Sequence, residues 1–277
     1  MTSRMTYAAL GSSFAAGPGI APLVDTNAAR SGRNYPSLLA AALGADLVDL
    51  TVSGATVATI LDEPQVTLTG VEFPPQVDGV PATADLVTVT AGGNDLRFAG
   101  SLLTTAWTRV EPDGPMADVL TATYGPTIPE PTPADVDRTA AGLARVVDEV
   151  RRRAPRARVV LVDYLTVIGP HTEPAPDIPF TPEEITALRA VQEALEAACA
   201  LAADRSGADL VAVSRASRTH ALGAPEPWLQ PFTRNLARTA ASFHPNAAGM
   251  AAVAAEVGTA LGHGDPTRPA GSGDVGR

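Results

Sequence analysis

Arg158-Val159-Val160-Leu161-Val162-Asp163-Tyr164-Leu165 decides the fold. Its Val/Leu run is uninterrupted through Val162, so the strand it predicts is buried on both faces, as in a parallel sheet covered by helices. The same pattern, an apolar run closed by a turn, recurs on both sides of it. Residues 6–11 run into Gly11 and Ser12, and 46–53 into Ser53-Gly54-Ala55-Thr56. Residues 85–90 (Asp-Leu-Val-Thr-Val-Thr) run into Ala91-Gly92-Gly93-Asn94-Asp95. Residues 209–214 read as the last strand. Helical stretches alternate with these strands. Residues 34–43 are rich in Ala and Leu, and 97–107 are weakly helical. Thr132-Pro133-Ala134-Asp135 opens a helix to Arg153 that buries Val136, Leu143, Val146, Val147 and Val150 at three- and four-residue spacing. Thr181-Pro182-Glu183-Glu184 is a capping box that opens a helix to about Asp204. A last helix is expected over 245–261. Residues 63–81, 111–133 and 169–180 are Pro-rich, and the middle one is expected to be an insertion or a lid-like loop.

Strands alternating with helices predict an α/β protein: a single-domain three-layer α/β/α sandwich with about five parallel strands. It is expected to span 5–262. A Gly/Pro/Asp-rich tail, 263–277, follows and is expected to fray. The chain has 277 residues, 45% hydrophobic and 18% charged, enough apolar content for a sizeable core. A net charge of −10 argues against nucleic acid as a partner. Nothing between Met1 and Leu10 is long or apolar enough for a signal peptide, and no stretch reads as a transmembrane span. Cys199 is the one cysteine; no disulfide can form within the chain, and the thiol reads as a small core residue. A cytoplasmic location and no stable membrane insertion are the expectations.

In a parallel α/β sheet, ligands sit beyond the carboxyl ends of the strands. Ser13, Gly54 and Asn94 each follow such an end. Ser13 is the candidate nucleophile, and Gly11 permits the sharp turn before it; by itself the Ser12-Ser13 pair could as well cap a helix. His244 is the candidate base. Of the four histidines it is the one anchored by structure, with Pro245 expected to start a helix behind it, whereas His171 and His220 lie in loops and His263 at the start of the tail. A helix start disfavours imidazolium and keeps the ring neutral. The backbone N–H groups of Ser13 and Gly54 and the amide of Asn94 would complete an oxyanion hole. A hydroxyl, an imidazole and convergent donors are the requirements of acyl transfer.

On these residues the chain resembles the SGNH hydrolases, the GDSL-type esterases and lipases. Ser13, Gly54, Asn94 and His244 match the four residues for which that family is named, in order, within Gly92-Gly93-Asn94-Asp95 and His244-Pro245-Asn246. The resemblance covers 7–261. It implies a flavodoxin-like sandwich, metal-free and cofactor-free hydrolysis of small-molecule carboxylic esters, and an acyl-enzyme on the serine. Two positions depart from the family. The usual Gly-Asp-Ser is Gly11-Ser12-Ser13, and the position three residues before the His, usually the triad acid, is Ala241. A Ser13–His244 dyad is therefore expected, with the backbone carbonyl of Ala241 or Ser242 orienting the ring. Asp95 is expected to fix its loop. Asp163 is a weaker candidate for a displaced acid. Alternative readings are a thioesterase or acyltransferase with the same dyad, and a non-catalytic module that kept the pocket. No Gly-x-Ser-x-Gly elbow or phosphate loop is present, and no Gly-rich dinucleotide fingerprint joins a predicted strand to a helix.

Overall fold

The apolar runs assemble into one sheet because each can bury both faces only between two layers of helices. The computed structural model describes residues 4–67 and 69–262. The expected tail, 263–277, lies outside the described residues, as do Met1, Thr2, Ser3 and Leu68. From the N-terminus, β1 (Thr6–Gly11) leads into α1 (Ser13–Ala16), a hairpin of β2 (Leu23–Asp25) and β3 (Arg30–Ser31), α2 (Tyr35–Leu43), β4 (Asp46–Asp49) and α3 (Val57–Leu61). A second hairpin, β5 (Gln65–Val66) and β6 (Glu72–Phe73), precedes β7 (Leu86–Thr90), α4 (Phe98–Val110), α5 (Pro115–Tyr124) and α6 (Pro133–Arg153). Then come β8 (Arg158–Val162), α7 (Pro182–Ser206), β9 (Asp209–Val211), α8 (Val213–Ser217) and α9 (Ala247–Ala260).

The five-stranded sheet has the order β4-β1-β7-β8-β9 and is parallel throughout. The chain leaves β1 for β4 on one side and returns as β7 on the other. That places the topological switch point between β1 and β7, where the crevice of such a sheet opens. Ser13 and Asn94 follow those two strands. Helices α2 and α9 pack together as one layer; α6 and α7, joined by α3 and α4, form the other. Polar groups inside the sheet satisfy one another. The Tyr35 hydroxyl meets Thr88 Oγ1 at 3.3 Å and Thr90 Oγ1 at 2.9 Å, and the Tyr7 hydroxyl meets Thr88 at 2.7 Å. Burial holds the Tyr35 hydroxyl at about 12, so it stays protonated. Cys199 is buried in α7, and burial pushes its thiol well up. Among the described residues, no helix is long and apolar enough to cross a membrane.

The backbones of β1 and β7 nearly touch at Gly11. Its φ is +152°, and a Cβ there would lie 2.5 Å from the carbonyl oxygen of Thr90. Gly11→Ala is therefore expected to cost more than about 1 kcal/mol of stability. The check is urea unfolding, where the midpoint falls and the slope stays unchanged.

Several expectations need correction. The Pro-rich segment 111–133 is not an open loop, because α5 fills its centre. Its prolines flank the helix: Pro115 sits in the first turn, behind Gly114 as N-cap, and none falls between Met116 and Tyr124. Ala117 and Leu120 bury one face of α5, and the helix packs on α4. The strand expected over 46–53 ends at Asp49, whose carboxylate takes the N–H and hydroxyl of Thr51. The N–H groups of Leu50 and Val52 still donate to Ala9 and Gly11, so the chain runs on beside β1. The strand expected over 158–165 ends at Val162. The one expected over 209–214 ends at Val211, because the Asp163 carboxylate accepts the backbone N–H of Ser214 and starts α8 there. The last helix begins at Ala247 rather than Pro245. Asn246 is its N-cap, with the side chain accepting from Gly249 N–H.

Candidate active site

Ser13 is the first residue of α1, directly beyond β1. Ser12 N–H donates to Thr90 O at 3.0 Å, which fastens the exit of β1 to the end of β7. Ser12 does not cap the helix with its side chain. Its Oγ lies 2.9 Å from the Tyr164 hydroxyl, and that hydroxyl accepts from Gly93 N–H at 3.1 Å. Tyr164 thus bridges the loop carrying Ser13 and the loop carrying Asn94. The residue was readable as a strand-end position, just past β8, but no spacing marked it as a bridge.

The Ser13 Oγ lies 2.8 Å from His244 Nε2. The other ring nitrogen, Nδ1, lies 2.9 Å from the carbonyl oxygen of Ser242. A carbonyl only accepts, so Nδ1 carries the proton and Nε2 presents its lone pair to the serine. Ala241 does not orient the ring; its carbonyl accepts the backbone N–H of His244 at 3.1 Å. Of the two carbonyls expected to hold the imidazole, Ser242 is the one in contact. Ser13 and His244 are each 4% exposed. Burial pushes the His244 imidazole down to about 4, with the Ser242 carbonyl acting weakly against that shift. The ring is therefore neutral at pH 7. Burial is the main cause.

What anchors His244 also differs from expectation. Phe243 N–H donates to Gln230 O at 2.7 Å, and Gln230 N–H donates to His244 O at 2.8 Å. The residue is clamped by this two-way backbone pair. Phe243 adopts φ +64° and is buried against Phe180 and Phe232. Such a backbone is uncommon for a bulky residue and is held by the packing around it. The Phe14 ring packs between His244 and Tyr164, with centroids at 5.2 and 4.6 Å. Gln230 lies in a Pro-rich loop and gave no sequence signal.

Gly54 is exposed and lies in a turn closed by Ala55 N–H donating to Val52 O at 3.1 Å. Its φ of +86° is the backbone that a type II turn requires at this position. The Asn94 Nδ2 donates to Ala55 O at 2.8 Å, which leaves its second amide proton available. Among the described residues, the N–H groups of Ser13 and Gly54 have no hydrogen-bond partner. The carboxylate of Asp95 accepts Val57 N–H at 3.1 and 3.2 Å and so ties the loop after β7 to the start of α3. Asp163 is engaged elsewhere: it takes the N–H and hydroxyl of Ser214 at 2.9 and 2.5 Å, and burial raises it to about 6. His220 is stacked on Trp228, with Nδ1 at Glu226 O. The arrangement presents a hydroxyl to a neutral base, with candidate donors on the loops after three adjacent strands.

The family model described as "GDSL-like Lipase/Acylhydrolase family" matches residues 9–252. Lipase 2 of Streptomyces coelicolor is 32% identical over 270 residues, covering 94% of this chain and 87% of that protein. A lipase of Streptomyces rimosus is 28% identical, covering 88% of this chain and 82% of that protein. Among solved structures, an extracellular lipase from Streptomyces rimosus superposes with a TM-score of 0.69 at 24% identity, over 92% of this chain and 99% of that one. A phospholipase A1 from Streptomyces albidoflavus gives 0.68 at 23% identity, over 90% and 96%.

Proposed function

The chain belongs to the GDSL-like lipase/acylhydrolase family and is a carboxylic ester hydrolase; from that premise we propose that it cleaves esters of small or medium acyl groups through an acyl-enzyme on Ser13. The observation that carries this reading is the 2.8 Å contact between Ser13 Oγ and His244 Nε2. Ser13 Oγ attacks the ester carbonyl carbon while its proton passes to Nε2. The carbonyl π electrons move onto oxygen, and that oxyanion takes hydrogen bonds from Ser13 N–H, Gly54 N–H and the free amide proton of Asn94. The tetrahedral centre collapses, and the alcohol leaves with the proton from Nε2. Water then enters by the same steps in reverse and releases the acid. Ser242 O holds the Nδ1 proton throughout. A neutral carbonyl stabilises imidazolium less than a carboxylate does, so a slower enzyme than a full-triad relative is expected.

The test is incubation of the folded protein with a fluorophosphonate and a series of p-nitrophenyl esters. Stoichiometric labelling of Ser13 with turnover fastest on short and medium chains is the expected result. The absence of both labelling and turnover in folded protein would sink the hydrolase mechanism, and a preference for palmitate would sink the chain-length assignment. The compartment is a separate proposal: one thiol, Cys199, makes no bridge within the chain, which suits a reducing cytoplasm. Recovery of the protein from the culture medium of its native host would overturn that.

The pH dependence follows from His244. The neutral ring is the active form, so activity is lost as pH falls through its value in the folded enzyme, about 4. The expected kcat/KM is flat from pH 8 down to 5 and halves near 4. An unperturbed imidazole would put that midpoint near about 6.5. The measurement is initial rate against pH with an ester whose product absorbs independently of pH.

A further inference from the structure

The Gly54 N–H belongs to the Ser53–Gly54 peptide, which is the middle peptide of the Val52–Ala55 turn. Type I and type II turns share their end residues and differ in the orientation of that middle peptide. Flipping it would move the flanking chain little and turn the Gly54 N–H to the opposite side. The φ of +86° at Gly54 records the flipped, type II form. A donor built on such a peptide needs something to hold it.

Gln65, the first residue of β5, makes that contact. Its Nε2 donates to Ser53 O at 2.8 Å. In a trans peptide the C=O and N–H point in opposite directions, so gripping the oxygen sets where the N–H points. A hydrogen bond accepted at the oxygen also polarises the peptide and strengthens its N–H as a donor. The amide is packed closely on the turn, with Nε2 3.3 Å from where a Gly54 Cβ would stand. Gln65 Oε1 is buried with no partner among the described residues. An apolar side chain of equal length would avoid that cost. The donor end accounts for an amide here.

We propose that Gln65 is a positioning residue for the oxyanion hole, holding the Ser53–Gly54 peptide in the orientation that aims Gly54 N–H at the developing oxyanion. The proposal rests on the esterase reading above. It assigns Gln65 no contact with substrate.

The test compares wild type with Gln65→Met, which keeps the length and removes the donor, and with Gln65→Glu. For Gln65→Met, kcat on p-nitrophenyl butyrate is expected to fall about tenfold or more with KM within about twofold of wild type. Affinity for an alkylboronic acid, which forms a tetrahedral adduct on serine, falls with kcat. Gln65→Glu supplies a readout that a purely structural role would not move. A protonated carboxyl donates to Ser53 O and an ionised one does not, so kcat of this variant rises as pH drops from 8 to 5 while wild type stays flat. Folded Gln65→Met with kcat within twofold of wild type, or a loss confined to KM, overturns the proposal. Should Gln65→Met not fold, a flat profile for Gln65→Glu overturns it. Wild type without turnover would remove the esterase reading itself, whereas active wild type with indifferent variants removes the role of Gln65 alone.

Discussion

Ser13→Ala is expected to lower kcat for ester hydrolysis by about 10⁴- to 10⁶-fold, the largest effect of any single change in this protein. The hydroxyl faces the neutral imidazole of His244 at 2.8 Å. Alanine removes the attacking atom and leaves the donors and the crevice. His244→Ala is expected to cost a similar factor, because an uncharged serine hydroxyl is a weak nucleophile without a base. The two act as a unit, so the double variant should be hardly slower than either single one. The measurement is active-site-titrated kcat with p-nitrophenyl butyrate, alongside a thermal melt. Full activity in Ser13→Ala would refute the assignment. Additive losses in the double variant would mean that serine and histidine serve different steps.

Asn94→Ala is expected to lower kcat about 10²- to 10³-fold, with a small change in KM, because it removes a donor that matters chiefly after the carbonyl becomes tetrahedral. The side chain has a second duty, since Nδ2 also holds Ala55 O at 2.8 Å. Asn94→Asp loses both donors at once. It keeps the shape but faces a carboxylate toward the oxyanion and toward a carbonyl, so it should be at least as slow as alanine. Boronic acid affinity should fall in step with kcat in both variants. A rise in KM with kcat intact would place Asn94 in ground-state binding instead.

The sheet was legible because burial on both faces leaves its mark along the chain: the Val/Leu run that became β8 is uninterrupted, and β1 and β7, although β7 alternates Val with Thr88 and Thr90, each close in a turn of small residues. Strand ends were less legible. Whether residues 50–53 or 213–214 continue a strand depends on carboxylates elsewhere, Asp49 beside the first and Asp163 beside the second. The Pro-rich stretch that contains α5 misled for a related reason. Proline count signals loop, yet it is proline position that decides, and the helix fits between them.

Ser13, Gly54, Asn94 and His244 could be picked from the sequence because each stands in a local setting with its own signature: a small-residue turn after an apolar run, paired glycines, or a His-Pro-Asn before a helix. The groups that hold them could not. Tyr164 joins Ser12 to Gly93, Gln230 clamps His244, and Gln65 grips Ser53. Each is a long-range hydrogen bond from an ordinary residue with no periodicity or motif of its own. The Ser242 carbonyl sits between these cases, since the missing carboxylate at Ala241 pointed to a backbone acceptor without saying which one.

Residue order alone determined that this chain forms a helix-covered parallel sheet and which side chains are proposed to carry its chemistry, since hydrophobic period and turn composition are local properties. Tertiary structure alone decided the distance from serine to imidazole, the burial that keeps the ring neutral, and the partners that hold the loops of the candidate donors. Those depend on atoms far apart along the chain, brought together when packing removes water from both faces of the sheet.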